Sequence, residues 1–149
     1  MRQPTSTASD IPRTGLFEAY APEAVKPYGR LSRLDRPIGT WLLLFPCLWS
    51  VLMATDGWPD LETAIYLALF AIGAVVMRGA GCTYNDIVDR EFDGRVARTA
   101  DRPIPSGAVS VKGAIAWLVA QLLIGLVILL SFNIYAIGLG VASLALVFI

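Results

Sequence analysis

Charged residues vanish from this chain in blocks. Pro37 to Thr55 is 19 residues without a charge, Thr63 to Met77 is 15, and from Gly113 to Ile149 there is none for 37 positions. A helix needs about 20 apolar residues to cross a hydrocarbon core of roughly 30 Å. The first block therefore predicts a span over 37–55. The second reaches that length when extended through Arg78 to Cys82, which predicts a span over 63–82. Arg78 then snorkels to the interface, and Gly79 and Gly81 suit close helix approach. The third block is too long for one crossing. A turn at Ser131-Phe132-Asn133 divides it into spans over 113–131 and 134–149. Pro46, inside the first span, predicts a kink rather than a break, because a bundle neighbour or water can satisfy the carbonyl it frees. Ser110 is placed to cap the third helix.

The intervening segments are polar. Residues 1–27 carry four prolines and no apolar run of the kind a signal peptide needs. They predict a loose tail with a short interfacial piece near Leu16–Tyr20. Asp10, Glu18 and Glu23 argue against a transit peptide. Residues 28–149 then form a partial membrane domain, and the chain stops inside its fourth apolar run with no flanking charge. The expected fold class is all-α, a multi-pass transmembrane bundle truncated after its fourth span.

Composition sharpens this picture. Hydrophobic residues make up 56% of the 149 and charged residues only 16%, against about 25% charged in soluble domains. Net charge is zero, so a nucleic-acid partner has no electrostatic support. There is no histidine, which removes His bases, His-activated nucleophiles and His metal ligands together. Any metal must be held by oxygen, which favours Mg²⁺. Cys47 and Cys82 sit in apolar stretches without CxxC spacing and fit buried free thiols. Loop charges orient the spans. Residues 1–36 carry six Lys/Arg, 56–62 none, and 78–112 six. The positive-inside rule places the amino terminus and the 78–112 segment in the cytoplasm, as expected of a protein of the bacterial inner membrane.

The candidate chemistry lies in Asn85-Asp86-Ile87-Val88-Asp89-Arg90-Glu91-Phe92-Asp93. Asp86, Asp89 and Asp93 are spaced i, i+3, i+7. On a helix they line one face, with Asn85 at its margin, and they repel one another. A cation relieves that repulsion. Mg²⁺ takes one or two protein carboxylates and completes its shell with water and substrate phosphates. Arg95, Arg98 and Arg102 follow closely, and arginine forks bind phosphate oxygens. Acids for metal and bases for phosphate point to a metal-bridged polyphosphate. The plain alternatives are a solvated acidic helix face and arginines that anchor the membrane surface. Residues 98–107 are a loop by their prolines and glycine.

NDIVDREFD resembles the first aspartate-rich motif, N-D-x-x-D-x-x-x-D, of the intramembrane aromatic prenyltransferases. RTADRPIPSG looks like the loop that follows it there. YGRLSRLDRPIGTWLLLFPCLWS is similar to the opening of the 4-hydroxybenzoate polyprenyltransferase branch. The likeness runs from Tyr28 to the end. It implies a bundle of about nine helices with a cavity open to lipid, a second aspartate-rich motif outside this sequence, and no turnover by this chain alone. It implies transfer of a polyprenyl group from polyprenyl diphosphate to 4-hydroxybenzoate in ubiquinone biosynthesis. Mg²⁺ on Asp86, Asp89 and Asp93, with Asn85 assisting, would grip the diphosphate. Arg95 or Arg102 would share its charge, and Arg33 or Arg36 would hold the benzoate carboxylate. Tyr84 and Trp41 are candidates to face the allylic cation, or else interface anchors. Three rivals remain at this point: a haem-farnesylating or other quinone-precursor enzyme of the same superfamily, a membrane cation transporter, and a non-catalytic half-bundle.

Overall fold

The computed structural model describes residues 16–97 and 99–147, without the side chains of residue 16 and of 144–147. Among them are seven helices and no strand: α1 Leu16–Tyr20, α2 Lys26–Leu31, α3 Ile38–Ala54, α4 Leu61–Val88, α5 Arg90–Asp93, α6 Val111–Leu130 and α7 Ile134–Val147. The all-α expectation holds. α4 and α6 are long and apolar enough to cross a membrane, and α3 and α7 are shorter apolar helices. α4 packs against both α3 and α6, so it is the centre of the bundle.

Caps set the helix starts. Asp60 accepts hydrogen bonds from the Thr63 amide (2.9 Å) and the Thr63 hydroxyl (2.8 Å), opening α4. Ser110 accepts from the Gly113 amide at 3.1 Å and opens α6, as expected. Asn133 Oδ1 accepts from the Ala136 amide at 2.9 Å and opens α7, so the long apolar block divides at the predicted turn. α3 runs through Pro46 without interruption.

Two expectations need correction. The loose tail is not loose over its described part. α1 is the expected piece at Leu16–Tyr20, but the chain also turns back so that Glu18 grips Arg30 of α2 through two bonds of 2.6 and 2.8 Å. Residues 1–15 of that tail lie outside the described residues. The second span also does not end near Cys82. α4 continues six residues further, through Val88, because Asn85-Asp86-Ile87-Val88 keep their helical bonds up to Asp89 N–H to Asn85 O at 2.9 Å.

The buried apolar core is small: Leu31, Ile104, Val109 and Ala114, with Tyr28, Ile87 and Trp117 packed on it. It lies at one end of the bundle and ties α2, the loop before α6, and α6 together. Elsewhere large side chains such as Leu42, Trp49, Leu123 and Val127 are exposed. Water does not tolerate apolar faces of that extent, and lipid does.

Beneath the core a polar network crosses three elements. Ser32 Oγ accepts from Trp117 Nε1 (2.8 Å) and from Gln121 Nε2 (3.0 Å). Thr83, fully buried, donates to Gly79 O at 2.9 Å and lies 3.2 Å from Gln121 Oε1. Gly79 is required there, since a Cβ would sit 2.3 Å from Gln121 Nε2. Such a network locks α6 to α4 just below the aspartates of the polar end.

Candidate active site

Asp86 is the last acidic residue of α4. It projects into the bundle and is 2% exposed. Its Oδ1 accepts from Arg33 Nη2 at 3.1 Å and from Arg102 Nη1 at 3.2 Å. Its Oδ2 is buried and has no partner. Asp93, at the end of α5, is also buried and takes a short hydrogen bond from the same Arg102 Nη1. One arginine thus clamps two carboxylates, and a second arginine steadies the more buried of them.

Each arginine is carried by a local device. α2 ends with Leu34 N–H bonded to Gly29 O at 2.9 Å and Arg33 N–H to Arg30 O at 3.0 Å, the double bond of a Schellman cap. The residue in its left-handed position is ordinarily glycine; here it is Arg33, with φ 57°. A side chain there costs roughly 1–2 kcal/mol. The strain delivers the guanidinium to Asp86, 53 residues away. Arg102 sits in a loop held by Pro103, Ile104 and Val109, all buried, and by Val109 N–H to Pro103 O at 2.8 Å. Thr99 ties that loop back to Asp93 O at 2.9 Å.

The single straight face of three aspartates is not formed. Asp89 leaves helical geometry (ψ 1°) between α4 and α5. The chain bends there, carrying Asp93 toward Asp86 while Asp89 is left exposed with Asn85. Among the described residues no three acidic, Cys or His side chains gather into a ready metal nest. Asp86 and Asp93 alone meet the one or two carboxylates that Mg²⁺ asks of a protein, and the free Asp86 Oδ2 is an orphaned acceptor a cation would satisfy. The donor set fits a hard, oxygen-seeking ion.

The remaining predicted residues lie apart from this clamp. Arg36 pairs with its neighbour Asp35 at 3.3 Å. Arg95 is exposed on the loop after α5. Arg98 lies outside the described residues. Trp41 begins a stack on α3, 5.6 Å from Phe45, which is 6.2 Å from Trp49. Tyr84 is exposed on α4. Sequence reasoning missed Ser32, Thr83 and Gln121; the signal for Gln121 was there, as the one strongly polar side chain inside an uncharged span. A cleft of about 500 Å³ exists, but at the opposite end of the bundle, lined by Asp56, Asp60, Tyr66, Phe70 and Phe132. Its Asp60 is occupied in capping α4.

Residues 43–149 match the model of the UbiA prenyltransferase family. The 4-hydroxybenzoate polyprenyltransferase, mitochondrial, of Drosophila pseudoobscura pseudoobscura is 50% identical over 141 residues, 93% of this chain and 34% of that one. The enzyme of the same name from Arabidopsis thaliana is 50% identical over 132 residues, 89% of this chain and 32% of that one. The 4-hydroxybenzoate geranyltransferase 1 of Lithospermum erythrorhizon is 48% identical over 133 residues, 89% of this chain and 42% of that one. The chain spans about a third of the length of several curated relatives it matches. No solved structure matches it significantly.

Proposed function

The chain belongs to the UbiA prenyltransferase family, and from that premise we propose that the protein transfers a polyprenyl group from polyprenyl diphosphate to 4-hydroxybenzoate in ubiquinone biosynthesis. The names of its relatives supply the acceptor and the kind of group transferred. The observation that carries the site is the buried Asp86, held by Arg33 and Arg102 with one oxygen left free. Mg²⁺ is the proposed cofactor, with Asp86 and Asp93 as its ligands and Asp89 and Asn85 within the same segment; when bound it would neutralise charge on the leaving diphosphate.

This chain's own residues do the rest of the work. Arg102 and Arg33 hold the carboxylates before substrate arrives. Their forks can then trade carboxylate oxygens for phosphate oxygens, which bind a guanidinium equally well. Arg95, exposed on the same loop, adds charge at the mouth. As the donor's carbon–oxygen bond breaks, diphosphate departs with the electron pair. The ring carbon ortho to the phenol oxygen forms the new carbon–carbon bond, and the ring loses its proton. The bilayer keeps water from the allylic cation, and aromatic faces such as Trp41 and Tyr84 tolerate it. The proposed placement is a bacterial inner membrane, and the loop charges support an amino terminus on its cytoplasmic side; several relatives are named as mitochondrial.

The test is prenyl transfer to labelled 4-hydroxybenzoate by the full-length protein in lipid, with and without Mg²⁺. Asp86→Asn should lower turnover by about 10²–10³-fold. Undiminished turnover in that variant, or full activity in excess chelator, would refute the reading.

A further inference from the structure

Gln121 is the one strongly polar side chain in the body of α6, and it is 5% exposed. An amide in an apolar span is costly unless both its ends are bonded. Both are. Its Nε2 donates to Ser32 Oγ at 3.0 Å, and its Oε1 lies 3.2 Å from the Thr83 hydroxyl. Ser32 and Thr83 are themselves buried. Leucine would fill the same space with no amide to desolvate. What glutamine adds is two bonds of fixed length and direction.

The two residues it joins adjoin the clamp. Ser32 ends α2 and directly precedes Arg33. Thr83 stands one turn before Asp86 on α4. Leu31 is fully buried in the core, and Ser32 also accepts from Trp117 Nε1 at 2.8 Å, so the chain is pinned up to the point where it turns. Arg33 follows in the left-handed conformation and, with its backbone fixed from behind, meets Asp86 at 3.1 Å. Gly79 leaves room for the bridge. A Cβ there would stand 2.3 Å from Gln121 Nε2 and 3.0 Å from Ser32 Cβ.

We propose that Gln121 is a positioning residue for the diphosphate clamp: by bridging Ser32 and Thr83 it sets the spacing of Arg33 from Asp86. This role rests on the function proposed above, in which the Arg33 fork takes phosphate oxygens. Gln121 acts through Arg33 and not on the substrate. The other arm of the clamp, Arg102, arrives from the loop between α5 and α6. Loss of the bridge therefore loosens one arm of two.

The experiment uses the full-length protein in lipid nanodiscs. It measures the Kd for a non-hydrolysable prenyl thiodiphosphate, and the KM for prenyl diphosphate and for 4-hydroxybenzoate. Gln121→Met keeps the length of the side chain and loses both bonds. It should raise the Kd and the diphosphate KM by about tenfold and leave the acceptor KM unchanged. Ser32→Ala and Thr83→Val each cut one end of the bridge with little change of volume. Both should act in the same direction, so the outcome does not hang on the folding of one variant. Arg33→Ala closes the cycle: in its background Gln121→Met should add less than about twofold to the loss. Full additivity in that double variant would overturn the proposal. So would a lower kcat with both KM values unmoved, the mark of a smaller folded fraction, or an equal rise in both KM values. An unchanged diphosphate KM in Arg33→Ala would overturn it together with the role given to Arg33. Absence of prenyl transfer by the wild type would instead refute the underlying function.

Discussion

α4 carries an aspartate at each end, and the two are held in opposite ways. Asp60 stands before the first turn, where free amides and the positive end of the helix dipole welcome a carboxylate. It is exposed, and the Thr63 amide followed by the Thr63 hydroxyl holds its carboxyl below the ordinary value. Asp86 stands in the last turn, where the dipole is unfavourable, and it is almost wholly buried. Nothing in the helix stabilises it. Two arginines from distant segments do, one of them in a strained backbone conformation. An acid that suits its helix is explained by the helix. An acid that opposes both dipole and burial, and still leaves an oxygen free, is explained by what it binds.

The comparison breaks most sharply at Arg102. Arg102→Met strips Asp86 and Asp93 of a shared partner and should cost roughly 1.5–3 kcal/mol in unfolding of the full-length protein followed by tryptophan fluorescence. If the two acids are a cation site, millimolar Mg²⁺ should recover much of that loss, and chelator should deepen it. A deficit indifferent to Mg²⁺ would reduce the clamp to a structural ion pair.

A smaller effect separates strain from pairing at Arg33. Arg33→Ala and Arg33→Gly both lose the bond to Asp86, but only alanine keeps a side chain in the left-handed position. The glycine variant should therefore be the more stable by about 1 kcal/mol, and both should show the same loss of diphosphate affinity. Equal stability would mean that the cap is not strained.

Asp60 should give the smallest effect and the opposite signature. Its carboxyl is depressed in the folded state, so its contribution is complete above the unfolded value. It fades as pH falls through the lower folded one. Asp60→Asn keeps a capping oxygen and should leave turnover and neutral-pH stability nearly untouched while flattening that acid limb, as thermal unfolding across acidic pH would record. Loss of turnover would make the two ends of α4 alike.

The elements were legible because they depend on local pattern. Runs without charge marked α3, α4, α6 and α7, and Ser110 marked the start of α6. The reach of α4 was not legible, since Asn85 and Asp86 favour caps and turns by local chemistry and tertiary burial overrode that preference. Nor was the bend at Asp89, which replaced a row of three acids by a pair. The identity of the acids and of Arg102 was present in the motif. The partners of Arg33 and Arg36 were not.

Residue order along the chain was enough to declare a membrane bundle, to divide its apolar blocks, and to gather acids and arginines into one segment. Spacing and hydropathy act over a few turns, and so do the forces they report. Folding in three dimensions chose which arginine meets which carboxylate. Ion pairs across 53 residues and hydrogen bonds across 89 depend on how helices dock, and no local period encodes that. The same docking left three buried polar atoms among the described residues, Asp35 Oδ1, Arg78 Nε and Asp86 Oδ2, without hydrogen-bond partners, and at Asp86 substrate chemistry has room to enter.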